Sequence, residues 1–265
     1  MATSHFENGI VSTTAGGHTD ISADIFVTGD VFWLDSVNGN DANPGTNRNL
    51  PVATIAQAIT NAAANNGDLI IIEAGHSESL GASQAISTAG LTIIGLGTGT
   101  NKPAFTVTAA VDGFNITGAD VRLVGLRFPV GTTAANTARI NVGAAGVIIE
   151  DCDFLCGAQD LETITVADAG DRCEINGCTF TISADGPDAA IEIEAAGVLG
   201  LRVISCTFDG GDYDFDAAAI NSGVAHTEFM YRANTLSNKA SIIHTAAAKG
   251  ICTGTVAGDG SRVEI

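Results

Sequence analysis

The chain has 265 residues, with 30 acidic side chains against 11 basic ones and a formal net charge of −19. Such a polyanion is repelled by nucleic acid and by anionic membrane surfaces, whose partners supply Lys and Arg to phosphates, so neither is expected as a partner. With 45% hydrophobic and only 15% charged residues, the chain carries enough apolar surface to fold.

The apolar residues come in short runs such as Leu69 to Ile72, far below the roughly 20 needed to cross a bilayer. The opening Met-Ala-Thr-Ser-His-Phe has neither a basic nor an apolar signal region, so synthesis in the cytoplasm is expected. Residues 1–30 are rich in Thr, Ser, Gly and Asp and read as an N-terminal arm for attachment or oligomer contact. His5, Phe6, Ile10 and Val11 are its contact candidates.

Residues 31–265 read as one domain. After Pro51, Thr54 to Asn65 is alanine-rich, opens on an N-cap candidate and places Ile55, Ala58, Ile59 and Ala62 on one face. That spacing predicts a capping helix over 54–65, covering the open end of a solenoid.

The solenoid itself follows from a repeat. VRLVGLRF (Val121 to Phe128) recurs as VIIEDCDF (Val147 to Phe154), CEINGCTF (Cys173 to Phe180) and LRVISCTF (Leu201 to Phe208), with a degenerate copy ending at Leu236. The anchors Phe128, Phe154, Phe180, Phe208 and Leu236 are almost evenly spaced along the chain, as stacked structural repeats require. Period-2 alternation breaks for two residues within each copy, which gives two short strands joined by a bend at Val124-Gly125, Glu150-Asp151, Asn176-Gly177 and Ile204-Ser205. A third strand precedes each copy at Phe114/Ile116, Ile140/Val142, Ile164/Val166, Ile191/Ile193 and Ile220, and a last one follows at Ile242 to His244. Three strands per coil of about 26 residues predict an all-β, right-handed single-stranded parallel β-helix. Cys152, Cys178 and Cys206 then form one internal ladder. No C-x2-C pair occurs among the six cysteines, so buried free thiols are expected.

The stretch Val31 to Ile59 and then Gly67 to Ser79, with Asp35, Asn38, Asp41, Gly45, Ile70, Gly75 and Glu78 or Ser79 in the matching places, resembles the opening segment of right-handed β-helix proteins of the pectate-lyase-like superfamily. From Gly90 onward the chain looks like the first full turns of that superfamily, and the resemblance extends to about residue 250. SHFENGIV, from Ser4 to Val11, resembles the opening of phage virion proteins. The resemblance implies either a virion structural protein or a polysaccharide enzyme.

Enzymes of the superfamily carry their chemistry on the outer face of the third strand. Here that face offers Asn115, Thr117, Arg139, Asn141, Thr163, Thr165, Glu192, Glu194 and Asn221. Glu192 and Glu194 form its one carboxylate pair, about 6.5–7 Å apart at the α-carbons. A lyase also needs a proton acceptor, and no lysine falls on this face. No catalytic residue is therefore assigned. Asp209, Asp212, Asp214 and Asp216 are oxygen-rich enough to be calcium candidates but lack EF-hand spacing, so no cofactor is expected and an exposed acidic loop is the simpler reading. Asp35, Asn38, Asn40 and Asp41 read as turn residues.

Between Glu150 and Asp216 there are 16 acids and 2 bases, which predicts one strongly negative, solvent-facing flank. Ile148 and Met230 stand outward in the same column as Arg122, Glu174 and Arg202, which makes them oligomer or capsid contact candidates. The expectation is a non-enzymatic virion protein of a tailed phage, a capsid decoration or cement protein that forms a homotrimer and binds the major capsid protein. The alternatives are a head or tail fibre or spike module and a polysaccharide lyase or hydrolase.

Overall fold

Apolar columns that recur once per coil are buried together only when each coil stacks on the one before it. The computed structural model describes residues 28–132, 137–157, 162–182, 189–194, 197–209, 218–222, 227–237, 243–245, 249–253, 255–256 and 262–263. It is a right-handed parallel β-helix with three sheets. The first sheet has nine strands: Val31–Leu34, Leu69–Ile72, Thr92–Gly95, Arg122–Val124, Ile148–Glu150, Glu174–Asn176, Arg202–Ile204, Thr227–Arg232 and Lys249–Thr253. The second, also of nine, begins at Ser77–Leu80 and Ala104–Val107 and continues through the anchors; the third, of seven, runs from Gln84–Ile86 to Ile243–Thr245. Neighbouring strands of these sheets pair in parallel until the last pair of the second sheet, where Thr255–Val256 meets Arg262–Val263 antiparallel.

The register sets like on like. Leu123, Ile149, Ile175, Val203 and Tyr231 are successive partners in the first sheet. Phe128, Phe154, Phe180, Phe208 and Leu236 are successive partners in the second. The four phenylalanine rings stack at 5.1, 4.9 and 4.9 Å, within 9° of parallel. All are fully buried. Such pairs contribute about 0.5–1.5 kcal/mol each beyond the area they bury. The last third-sheet strand is Ile243–Thr245, with Ile243 opposite Ile220, and Ile242 lies outside the described residues.

Two columns of left-handed residues turn the corners. Gly125, Asp151, Gly177, Ser205 and Ala233, with φ from 50° to 68°, bend each coil from the first sheet into the second, at the places where the alternation breaks. Gly67, Gly90, Asp120, Gly146, Arg172, Gly200 and Glu228, with φ from 55° to 76°, return the chain to the first sheet. A left-handed non-glycine residue costs about 1–2 kcal/mol, and the ladder hydrogen bonds on either side over-determine it.

The inner ladder of Cys152, Cys178 and Cys206 lies immediately after the first corner, and all three thiols are buried and free. Cys178 donates to the Ile149 carbonyl and Cys206 to the Ile175 carbonyl of the preceding coil, at 3.6 and 3.5 Å. Asn234 ends the column and does the same work with an amide: its Oδ1 accepts from the Cys206 N–H at 2.9 Å and its Nδ2 donates to the Val203 carbonyl at 2.9 Å. Burial pushes the Cys178 thiol well above its ordinary range and the Cys173 thiol up to about 12.

The capping helix is Ile55–Asn61, with Thr54 as N-cap. Ile55 and Ala58 are buried, with Ile59 and Ala62 packed against the core. It stops a turn short of the expected Asn65. Ala62 is already extended, the Ala63 N–H is captured by Asp68 Oδ2 at 2.7 Å, and Asn65 takes a left-handed φ of 57° while its N–H bonds Ala89. Asp68 thus pulls the chain into the next strand before another helical turn can form. The same cap covers the free edge of the first sheet: Trp33 N–H donates to Gly45, and Trp33 C=O accepts from Val52.

Among the described residues the acids of 150–216 stand on all three sheets, while Asp160, Asp185, Asp188, Asp212, Asp214 and Asp216 lie outside the described residues. Glu150 and Glu174 lie on the first sheet, Asp153 and Asp209 on the second, Glu192 on the third, and Asp151 and Asp171 outside the strands between them. A sequence-local cluster in a solenoid becomes a band around a few coils, because each coil carries the chain once around the axis.

Two outcomes are expected. A β-carbon on Gly95 would sit 2.4 Å from the Gly125 carbonyl oxygen and 2.8 Å from Pro103 Cδ. Gly95→Val should therefore cost about 1–3 kcal/mol and lower Tm by roughly 4–10 °C, whereas Ala233→Gly, which relieves the left-handed strain at the cost of chain entropy, should leave Tm within about 2 °C in a calorimetric scan. Cys152, Cys156, Cys173, Cys178 and Cys206 should resist a colorimetric thiol reagent at pH 8 in the native protein and react together on unfolding.

Candidate functional site

The outer face of the third sheet carries one column of partners: Ala85, Asn115, Asn141, Thr165, Glu192, Asn221 and His244. Short amides and hydroxyls on adjacent rungs are close enough to satisfy one another. Thr165 Oγ1 donates to Asn141 Oδ1 at 3.1 Å, Asn141 Nδ2 to Asp112 Oδ2 at 3.3 Å, and Asn221 Nδ2 to Glu192 Oε2 at 2.7 Å. The predicted carboxylate pair is therefore unequal. Glu192 is half-buried and holds a neighbouring amide, while Glu194 lies exposed just beyond the end of its strand, Ala189–Ile193.

Strand alternation places Arg139, Thr163 and Thr165 on the water side of this face. All three are instead buried, at 1%, 1% and 2% exposure. Thr163 Oγ1 lies 3.1 Å from Cys156 Sγ, which ties the start of its strand to the end of a second-sheet strand and turns this position into a corner contact. Arg139 sits at the same level one coil below, its N–H bonded to the Thr163 carbonyl, and its side chain is buried and not presented on an open groove.

Of the calcium candidates, Asp209 closes the strand Thr207–Asp209 and is partly buried, whereas Asp212, Asp214 and Asp216 lie outside the described residues. Among the described residues, no three His, Cys, Asp or Glu side chains converge to hold a metal ion. The oxygen-rich turn near Asp35 is occupied by amide donors, as its turn chemistry predicts. Asp35 accepts from the Val37 N–H and Asn38 Nδ2, both at 2.8 Å; burial alone would raise its carboxyl, and these bonds hold it below the ordinary value. Asp41 accepts from the Ala53 and Thr54 N–H groups and the Thr54 hydroxyl, clamping the helix N-terminus.

Two polar clusters had no sequence signal beyond single residues. Glu78 occupies a core-facing register position opposite Phe105 and uses it to receive the Ile55 N–H at 2.9 Å, with His76 Nε2 at 3.3 Å. His76 Nδ1 in turn accepts from the Ser36 N–H at 3.0 Å, so the buried ring joins the cap to the first coil. Lys102 is also buried, and its Nζ donates to the Asp151 carbonyl, Asp151 Oδ1 and Asp153 Oδ1 at 2.6, 3.1 and 3.2 Å. Burial opposes its charge, but the two carboxylates outweigh that and raise its pKa. Both clusters are structural clasps whose polar atoms are spent on neighbouring segments of the fold.

The outer face of the first sheet is different in kind. One column reads Thr92, Arg122, Ile148, Glu174, Arg202, Met230 and Ile251, and the other Ile94, Val124, Glu150, Asn176, Ile204, Arg232 and Thr253. Ile148 and Met230 stand where the alternation puts them, each partly exposed, and Ile251 is 52% exposed. Arg122 pairs with Glu150 at 2.6 Å and Arg202 with Glu174 at 3.1 Å. The other contact candidates, His5, Phe6, Ile10 and Val11, lie outside the described residues. Among the described residues no helix is long and apolar enough to cross a membrane.

No family model matches the chain, and no curated protein matches it. Among solved structures it is similar to a rhamnogalacturonan lyase, with 14% identity and a TM-score of 0.56 over 84% of this chain and 62% of that one. It is similar to the pectate lyase Pel9A to the same degree, with 14% identity and a TM-score of 0.58 over 86% and 63%. The chain thus spans less than two thirds of the length of either. A protein of Geobacillus virus E2, ORF18, aligns over 75% of this chain and 56% of that one with 11% identity and a TM-score of 0.40, too loosely to bear on function. What these likenesses establish is the architecture: the chain has the parallel β-helix fold of pectate-lyase-like proteins.

Proposed function

We propose that this chain is a non-enzymatic structural protein of a tailed-phage particle, most specifically a capsid decoration or cement protein held to the major capsid protein partly through residues 1–30. The observation that carries this reading is the state of the outer third-sheet column. In superfamily enzymes that face does the chemistry; here Thr165 bonds Asn141 and Asn221 bonds Glu192, so its side chains are engaged with each other. The resemblance of Ser4 to Val11 to virion protein openings adds the particle, and the acidic bands add solubility at a crowded outer surface.

The decisive measurement is co-sedimentation with empty capsids assembled from the cognate major capsid protein, using the full chain and a form lacking residues 1–30. The full chain should pellet with capsids and the truncated form should bind at least about tenfold more weakly; a full chain left in the supernatant overturns decoration. Polysaccharide cleavage assays with calcium form the second arm. Cleavage that is lost in Glu192→Gln would replace the structural reading with a lyase or hydrolase, because an intact fold with a silent outer column cannot show it.

A further inference from the structure

Four polar features compete as sites. The Lys102 clasp and the His76–Glu78 pair are consumed within the fold, and the third-sheet column is closed on itself. The outer face of the first sheet remains, and its two columns have an order that carries information.

On that face Arg122, Arg202 and Arg232 stand against Glu150 and Glu174, one positive charge in excess, which leaves −20 on the rest of a chain whose total is −19. Two copies approaching by other surfaces therefore oppose acid to acid, while this face is neutral enough to meet itself. Isoleucine, valine and methionine stand between its charges, and two parallel sheets pack face to face at about 10 Å.

The order of the residues selects one arrangement. We propose that this face joins two copies of the chain about a two-fold axis running parallel to the strands, between Glu174–Asn176 and Arg202–Ile204. That operation reverses the solenoid axis and keeps each column opposite itself. Glu174 then faces Arg202 of the second copy, Ile148 faces Met230, Glu150 faces Arg232, and Asn176 faces Ile204; each contact occurs twice, as a two-fold interface requires. Shifting the axis by half a rung to the level of Glu174 sets that glutamate against itself, and shifting it to the level of Arg202 sets that arginine against itself. Moving it a whole rung toward the N-terminus opposes Arg122 to Arg202, and a whole rung toward the C-terminus opposes Ile204 to Arg232. A two-fold with parallel solenoid axes sets Ile148 against Glu150 and Met230 against Arg232 on every level. In the antiparallel register all four cross-copy contacts between charges are of opposite sign; at the rim Arg122, which keeps its own Glu150, faces Ile251, and Val124 faces Thr253.

Six rungs at about 4.8 Å and strands of three residues give a footprint of roughly 29 by 10 Å. At about 290 Å² per copy this is a small contact, so the pair is weak and transient, forms only at high protein concentration and should weaken with salt. The pairing is independent of any capsid, since the isolated chain supplies both partners.

Sedimentation equilibrium from about 10 to 500 μM tests it on the full chain. The mass should rise from 26.7 kDa toward twice that value with concentration, and fall back in about 0.5 M salt. Arg232→Glu and Glu150→Arg should each remain monomeric, because each homodimer meets like charges, while an equimolar mixture of the two should dimerise, because both cross contacts are then opposite. Arg202→Glu and Glu174→Arg form a second pair with the same logic, should Glu150→Arg fail to fold after losing Arg122. Restoration by mixing cannot come from an ion pair within one chain. A monomer throughout, a trimer mass, single variants that still dimerise, or folded mixtures that stay monomeric would each overturn the antiparallel pair.

Discussion

Every coil of this protein is bound to the next by parallel ladder hydrogen bonds about 4.8 Å apart, and that single spacing dictates what each position can hold. A residue meets its equivalent one turn below and one turn above. Identical apolar side chains gain from this, as Phe128, Phe154, Phe180 and Phe208 do when their rings stack face to face. Identical charges lose. The outer columns accordingly alternate sign or polarity along the axis, as in Arg122, Ile148, Glu174 and Arg202, and identical amides such as Asn115 and Asn141 fall opposite each other only where neither carries a charge.

The same spacing explains why so much of the fold was legible. A repeat of nearly constant length with fixed apolar offsets has few other solutions, and a two-residue break in alternation has to become a corner. Gly125, Asp151, Gly177 and Ser205 take left-handed conformations at the second residue of each break. At the other corner Gly67, Gly90, Asp120, Gly146 and Gly200 are ordinary turn residues, whereas Arg172 and Glu228 are not, and there the register on either side imposes the conformation. The helix end was missed for a related reason. Alanine propensity runs on past Asn61, but Asp68, from the threshold of the next strand, takes the Ala63 N–H and ends the helix from outside.

Function was less legible because outward residues are read in two dimensions. Strand alternation tells which side chains leave the core, but not what they meet once outside. Arg139 and Thr163 leave the third sheet by parity and are nonetheless buried, Thr163 against Cys156 of the second sheet, while Glu192 points outward and is claimed by Asn221 from the next coil. Among the described residues the acids of 150–216 stand on all three sheets. Closeness in sequence suggests one flank, although travel around the axis distributes any run of two or more coils over all three sheets.

A stacked architecture also has two ends, and the ends decide what the molecule can join. At the start, Glu78 stands in a column position that later coils give to phenylalanine, and its carboxylate receives the helix that closes the core. A polar side chain is tolerated there because the stack has ended and the Ile55 N–H and the His76 ring, not another phenylalanine, meet it. Later in the stack Asn234 replaces cysteine in the inner ladder and bonds backbone on the coil before it. Strand addition is thus opposed at the first sheet's N-terminal edge by the cap segment, and an antiparallel pair, Thr255–Val256 with Arg262–Val263, ends the parallel pattern of the second sheet. Growth along the axis is discouraged by those devices. Contacts through the sides remain, and on the sides the balance between like-charge repulsion and local complementarity selects the face that meets a partner.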